Sequence, residues 1–245
     1  MTLRRCRRAV ALAIALFSCI VHYWLVRLRG PLTVERRALW MQSASRRVLA
    51  GMGVRITVES RPPSRGLVVA NHLSYLDIAI LAATMPCCFV SKMEVIRWPF
   101  FGKAARAGGT IFLDRSSPAS SNNAAREISE RLAQNIPVLL FPEGTSTDGS
   151  QVLRFHSRLI QPAIELGAPV TAAAVRYTPG GNIPERELCW FGDSLFLPHL
   201  FKLLGLPGFS AIVHFGQPHI YADRRNAAQE TRAEVVAMRN EGCPQ

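Results

Sequence analysis

Short apolar runs of strand character alternate with helical stretches along residues 53–245. That alternation predicts an α/β domain: a mixed, mostly parallel sheet flanked by helices. The run Val138-Leu139-Leu140-Phe141 is apolar at every position, as a central strand covered on both faces requires. A basic and apolar leader, residues 1–52, precedes the domain and reads as an N-terminal membrane-associated helical segment. With 245 residues, 49% hydrophobic and 19% charged, the chain can bury a core and is too apolar for disorder. Only one stretch approaches spanning length, which excludes a polytopic membrane protein. The cysteines (6, 19, 87, 88, 189, 243) form no CxxC pair and no metal spacing. They fit a reduced cytosolic setting, with no metal expected.

The leader holds most of the net charge of +12: ten arginines against the single acid Glu35 in residues 1–50. These arginines flank the apolar run Ala9–Val26 rather than lining the folded body, which speaks against nucleic acid and for anionic lipid headgroups. As a helix the run measures roughly 27 Å, borderline for a crossing. A cleavable signal is disfavoured because His22, Tyr23 and Trp24 stand where a small-residue site belongs. Leu16-Phe17-Ser18-Cys19 resembles a lipoprotein signal only faintly, since the apolar run continues past the cysteine. Arginines on both sides favour a helix dipping into one leaflet of the inner membrane, with both ends cytoplasmic.

After Pro31, apolar positions between arginines predict an amphipathic helix over Val34–Ala50, ended by Gly51 and Gly53. Strands are expected at Val54–Val58, Leu67–Ala70, Phe89–Val90, Thr110–Leu113, Val138–Phe141, Val170–Val175 and Ala211–Phe215. Helices are expected at Tyr75–Ala83, Ser120–Gln134 and Arg158–Leu166. No repeat or low-complexity linker divides the body, so residues 53–245 form one domain behind the anchoring segment 1–52.

In such sheets functional groups gather at the carboxyl ends of strands. Three loops there are rich in them: Asn71–Asp77, Asp114–Arg115 and Pro142–Thr147. Ser74-x-x-Asp77 has the spacing of a capping box. On one continuous helix His72 and Asp77 would point about 140° apart. If the helix starts just after Ser74, His72 is free to fold back and Asp77 can accept from one imidazole nitrogen. The other nitrogen is then left as a base, the base-plus-orienter half of a catalytic triad. No nucleophile motif is present, and Cys87-Cys88 reads as a buried pair entering a strand. A base without an enzyme nucleophile suggests direct transfer to a substrate hydroxyl. In the third loop Pro142 ends the ladder, and Gly144 permits a conformation that a β-carbon hinders.

Asn71-His72-x-x-x-x-Asp77, Gly109–Arg115, Phe141-Pro142-Glu143-Gly144-Thr145-Ser146 and the strand Pro169–Val175 occur in the order of four known blocks. They resemble those of the glycerolipid acyltransferase family, bacterial lysophosphatidic acid acyltransferases in particular, over roughly residues 34–220. The segment Cys189-Trp190-Phe191-Gly192-Asp193, with Pro198-His199-Leu200, is more similar to the lyso-ornithine-lipid acyltransferase branch.

The resemblance implies that His72 deprotonates an acceptor hydroxyl and that Asp77 orients it. The acyl group would come from an acyl-carrier protein or coenzyme A thioester, a co-substrate rather than a bound cofactor. Arg115 and Lys92 would hold the acceptor phosphate, and Glu143, Gly144 and Thr145 would help seat the acceptor. The implied acceptor is a lysophospholipid, 1-acylglycerol 3-phosphate giving phosphatidic acid, or another lysolipid such as lyso-ornithine lipid. Two other readings use the same residues differently: a membrane-associated hydrolase with the His-Asp pair activating water, and a non-catalytic lipid-binding protein.

Overall fold

The computed structural model describes residues 2–98, 101–181 and 183–241. Along the chain run α1 (Thr2–Leu28), α2 (Val34–Met52), β1 (Val54–Val58), β2 (Leu67–Ala70), α3 (Leu76–Thr84), β3 (Cys88–Lys92), α4 (Phe101–Ala107) and β4 (Ile111–Leu113). There follow α5 (Pro118–Ala133), β5 (Val138–Leu140), α6 (Gln161–Glu165), β6 (Val170–Pro179), α7 (Phe196–Gly205), β7 (Phe209–Phe215) and α8 (Arg224–Asn240).

The seven strands form one sheet in the order β1-β7-β6-β2-β5-β3-β4. The five strands from β6 to β4 run parallel, β7 opposes β6, and β1 runs with β7. A mixed, mostly parallel sheet is what the alternation predicted. Side chains of the central strands alternate between two cores. Val68, Ala70, Leu139, Ala173, Val175 and Tyr177 face the α2, α3 and α7 side. Leu67, Val69, Val138, Leu140, Val170, Ala172 and Ala174 face α5, α6 and α8. Both faces are covered, so these strands need apolar residues at every position.

Several boundaries move from their expected places, each for a local reason. Helix α2 runs through Gly51 to Met52, and only Gly53, at φ +75°, closes it. Gly51 instead lets two helices approach: a β-carbon there would lie 3.1 Å from the Ala11 carbonyl oxygen and 3.2 Å from the Leu12 Cα. Ser117 caps α5, whose Pro118 occupies the first turn, so the helix begins before Ser120. The stretch 158–166 splits into a 3-10 turn, Arg158–Ile160, and the short α6, with Pro162 in its first turn. Strand β6 extends past Val175 to Pro179, and β3 extends to Lys92. Helices α4, α7 and α8 have no counterpart among the expected elements.

The apolar run expected at Ala9–Val26 lies within one continuous helix, α1, long and apolar enough to cross a membrane by length and composition. It packs along its length on folded parts of the chain. Arg8 donates to the Leu206 and Pro207 carbonyls at 2.5 and 3.1 Å. Farther along, Trp40 Nε1 donates to the Cys19 carbonyl at 3.2 Å, and Cys19, Trp40 and Ala44 form a small core with Tyr23, Ala104 and Ala107. The opposite face, with Val10, Ile14, Phe17 and Trp24, is exposed. Since backbone faces Gly51, a larger side chain there must push α1 away. Gly51→Leu is expected to lower stability by about 1–3 kcal/mol, read as a fall in melting temperature, with increased proteolysis between α1 and α2.

Candidate active site

The first loop after β2 keeps its backbone out of helix until Tyr75, and this frees His72 to turn back. Ser74 Oγ accepts from Leu76 N–H at 3.3 Å and Tyr75 holds the N-cap position, so only the Asp77 half of the expected capping box forms: Asp77 Oδ2 reaches back to Ser74 N–H at 2.9 Å. The same oxygen accepts from Leu73 N–H at 2.6 Å and lies 2.8 Å from His72 Nδ1. Capping and orientation of the histidine are therefore one arrangement.

Asp77 is fully buried, and its second oxygen, Oδ1, accepts from the Tyr177 hydroxyl. Burial, and then the Asp77 charge, push the Tyr177 phenol well above its ordinary range, so it stays protonated as a donor. With four donors aimed at its two oxygens, the carboxylate is held in position. His72 is 19% exposed in its side chain and stacks on Phe141, ring centroids 4.1 Å apart. Among the described residues Nε2 has no protein hydrogen-bond partner, so the nitrogen left free is the one a substrate hydroxyl can reach. That is the geometry of a general base.

Asn71, just before His72, ties the loop to β6: its amide donates to the Val175 carbonyl at 3.0 Å and accepts from Val175 N–H at 2.8 Å. Glu143 ties it to the third loop. Its Oε1 accepts from His72 N–H at 2.7 Å and its Oε2 from Leu153 N–H at 2.8 Å. The side chain is only 4% exposed, and burial raises its pKa against the pull of those two N–H groups. Both oxygens being occupied, Glu143 positions the loops; its geometry is that of a brace rather than of a group facing an acceptor.

Gly144 follows at φ +77°, and a β-carbon there would lie 2.6 Å from Arg115 Nη1. Arg115 donates through Nη1 to the Gly144 carbonyl at 2.9 Å. It forms no ion pair with Asp114, whose Oδ1 instead accepts from Ser116 N–H and Oγ. Arg115 and Thr145 are exposed beside this loop. Lys92 is exposed at the end of β3, where it pairs in register with Leu113, two residues before Arg115. All five expected positions thus lie at one end of the sheet, the carboxyl end of the parallel strands.

Cys87 and Cys88 are buried, and burial raises both thiols, Cys87 well above its ordinary range, so neither is a poised nucleophile. The five described cysteines are free, and Cys243 lies outside the described residues. No cluster of three metal-ligating side chains occurs among the described residues.

Sequence reasoning missed Tyr177, because a phenol in an apolar strand reads as core. It missed a second layer as well. Glu185 accepts from Tyr177 N–H at 2.7 Å and from Arg239 at 2.9 Å, so α8 braces the strand that carries the phenol. It also missed Tyr75, whose hydroxyl lies 3.1 Å from His199 Nδ1.

The fold and site place a His-Asp pair, its aspartate fully buried and its imidazole partly exposed, at the carboxyl edge of an α/β sheet. The acyltransferase family model matches residues 53–176, and the chain belongs to that family. A lyso-ornithine lipid O-acyltransferase of Rhodobacter capsulatus is 37% identical over 210 residues, covering 81% of this chain and 75% of that protein. One of the same name from Pseudomonas aeruginosa is 36% identical over 159 residues, 64% of this chain and 61% of that protein. A 1-acyl-sn-glycerol-3-phosphate acyltransferase of Neisseria meningitidis serogroup B is 38% identical over 136 residues, 54% of this chain and 53% of that protein. The crystal structure of the 1-acyl-sn-glycerophosphate acyltransferase of Thermotoga maritima matches in fold, with a TM-score of 0.65 at 18% identity. That match covers 98% of this chain and all of the other.

Tyr177→Phe removes one donor from a buried carboxylate and leaves that oxygen unpaired. It should cost about 1–3 kcal/mol of stability and lower kcat roughly tenfold with both KM values unchanged, read by steady-state kinetics beside a melting curve. His199 gives a pH test. Burial first, and the Lys202 charge second, lower its pKa to about 4. A depressed histidine contributes stability that is whole above its unfolded value and lost as pH falls toward the folded one. The wild type should therefore lose on the order of 3 kcal/mol between roughly pH 6.5 and pH 4. His199→Gln should show a flatter melting-temperature profile across that window.

Proposed function

We propose that the chain transfers a fatty acyl group from an acyl-carrier protein or coenzyme A thioester to the free hydroxyl of a lysolipid. The reaction takes place at the cytoplasmic face of the inner membrane. The observation that carries this reading is the 2.8 Å contact from His72 Nδ1 to the buried Asp77, with Nε2 left open. The acceptor hydroxyl gives its proton to Nε2 as its oxygen attacks the thioester carbonyl carbon. The carbon–sulfur bond breaks as the tetrahedral intermediate collapses, and the departing sulfur takes the proton from His72. Asp77 holds the imidazole in one tautomer and balances its transient charge. No covalent acyl-enzyme is required.

For the acceptor, 1-acylglycerol 3-phosphate fits two exposed cations at the site edge. Arg115 offers the rest of its planar fork, one nitrogen being used on Gly144, and Lys92 offers a point charge. Thr145 lies exposed beside them, available to the same headgroup. A second reading, lyso-ornithine lipid, is favoured by the relatives of that name, which align over up to 81% of the chain. Residues Cys189–Asp193 and Pro198–Leu200 point the same way. Attachment to the membrane is assigned to α1, which lies along the domain with its apolar side outward.

Mass spectrometry of products from labelled acyl donor and a panel of lysolipids tests the reading. Release of free fatty acid without any acceptor would instead identify a hydrolase. His72→Ala should reduce transfer by at least about a hundredfold while the protein stays folded. Arg115→Ala should lower kcat/KM for 1-acylglycerol 3-phosphate by about ten- to a hundredfold, with donor KM nearly unchanged. Arg115→Lys should recover only part. Equal, small losses on phosphate and ornithine lipids would remove Arg115 from the headgroup site.

A further inference from the structure

Helix α7 has one buried face and one bare apolar face. His199, Leu203 and Leu204 point inward, whereas Leu195, just before the helix, Leu197 and Phe201 are 72%, 60% and 56% exposed. Three large apolar side chains left in water on one short amphipathic element call for a partner. We propose that this outer face of α7 enters the lipid surface beside α1 and so seats the mouth of the His72 site on the membrane. The inference extends the membrane reading of the proposed function and rests on it.

Three observations select lipid as the occupant. First, α7 lies directly against α1. The α7 end meets α1 where a β-carbon at Gly205 would touch Arg5, and where Arg8 binds the carbonyls of Leu206 and Pro207. Phe196 of α7 meets the half-exposed Phe101 of α4 at 4.8 Å, and Ala104 and Ala107 of α4 pack against Cys19 and Trp40. Second, exposed arginines stand at both ends of α1, Arg4, Arg7, Arg27 and Arg29, while Lys202 on α7 is paired with Glu187. That charge suits anionic headgroups and disfavours a second copy of a chain with net charge +12. Third, the inner side of α7 touches the catalytic loop. Phe196 and His199 both contact the ring of Tyr75, which follows Ser74, and Trp190 N–H donates to the Leu73 carbonyl at 2.8 Å. A lipid surface reached by α7 therefore lies within one side-chain layer of the loop that carries His72.

The test places single nitroxides in the full chain with Cys6 and Cys243 replaced by serine. The labelled sites are Phe17 on α1, Leu197 and Phe201 on α7, and Arg126 on α5 across the sheet. Accessibility to oxygen and to a water-soluble nickel chelate is measured on vesicles of zwitterionic and anionic phospholipid. The proposal expects oxygen to win at 17, 197 and 201, and nickel at 126. Oxygen winning at 17 with nickel winning at 197 and 201 would overturn the role of α7 and leave α1 as the attachment. Nickel winning at all four would overturn the membrane reading and this proposal together, leaving the acyl-transfer chemistry untouched. Shielding of 197 and 201 from both reagents without lipid would mean a second copy on that face, and would overturn it too. The double variant Leu197→Gln with Phe201→Gln should bind the same vesicles about ten- to a hundredfold more weakly. Unchanged binding would count against insertion.

Discussion

A carboxylate with no solvent exposure must be supplied with donors by the protein, and meeting that demand at Asp77 organises the rest of the site. Water cannot help, so two backbone N–H groups, one imidazole and one phenol do. Each donor imposes a structural condition. The N–H groups of Leu73 and Ser74 are available only because α3 starts after them. The phenol is available only because β6 continues past Val175 on the face that looks toward α3. The imidazole stays in place because Phe141 stacks on it and Glu143 holds its backbone. Removing any donor leaves a buried acceptor partly empty, so the site is a connected network and its members should couple rather than add.

Glu143 shows the same logic one shell out. A glutamate in a turn between a strand and a Ser/Thr-rich loop reads from sequence as a group offered to a ligand. Buried and shared between His72 N–H and Leu153 N–H, it makes two loops from distant parts of the chain into one rigid edge. Arg115 and Gly144 add a third loop to that edge, the arginine bonding the glycine's carbonyl where a side chain would collide with it. The four sequence blocks meet as the pieces of one hydrogen-bonded rim.

This explains what was legible and what was not. Strand positions, the two-faced burial of Val138–Leu140 and the early stop before α3 could be read, because apolar periodicity and capping chemistry are local. His72 and Asp77 were legible for the same reason, five residues apart with Ser74 between. Tyr177, Glu185 and Arg239 were not, since they meet Asp77 and one another only across the sheet and the C-terminal helix. Helix α8 escaped because its buried stripe is Ala227, Ala228, Thr231, Val235 and Met238, mostly small residues amid charge. Helix α7 escaped for the opposite reason. It is short and carries large apolar side chains on both sides, Leu203 and Leu204 inward and Leu197 and Phe201 outward, with Pro198 in its first turn.

The same two-sidedness bears on how α1 meets a bilayer. A crossing helix must be clear of its own domain over the hydrocarbon thickness, about 30 Å, or some 20 residues. Helix α1 is not clear at either end: Arg8 is bonded to the turn before β7, and Cys19 is packed against Trp40. Between these ties Gly51 brings α2 within backbone contact of Ala11 and Leu12. An upright α1 would therefore drag arginine-rich α2, and the domain behind it, into lipid. Lying flat, it would bury only the face that the protein leaves bare, with the exposed arginines at both ends at headgroup depth. Charge on both flanks, which blunts any topological preference for a crossing, would suit a helix lying in the membrane plane.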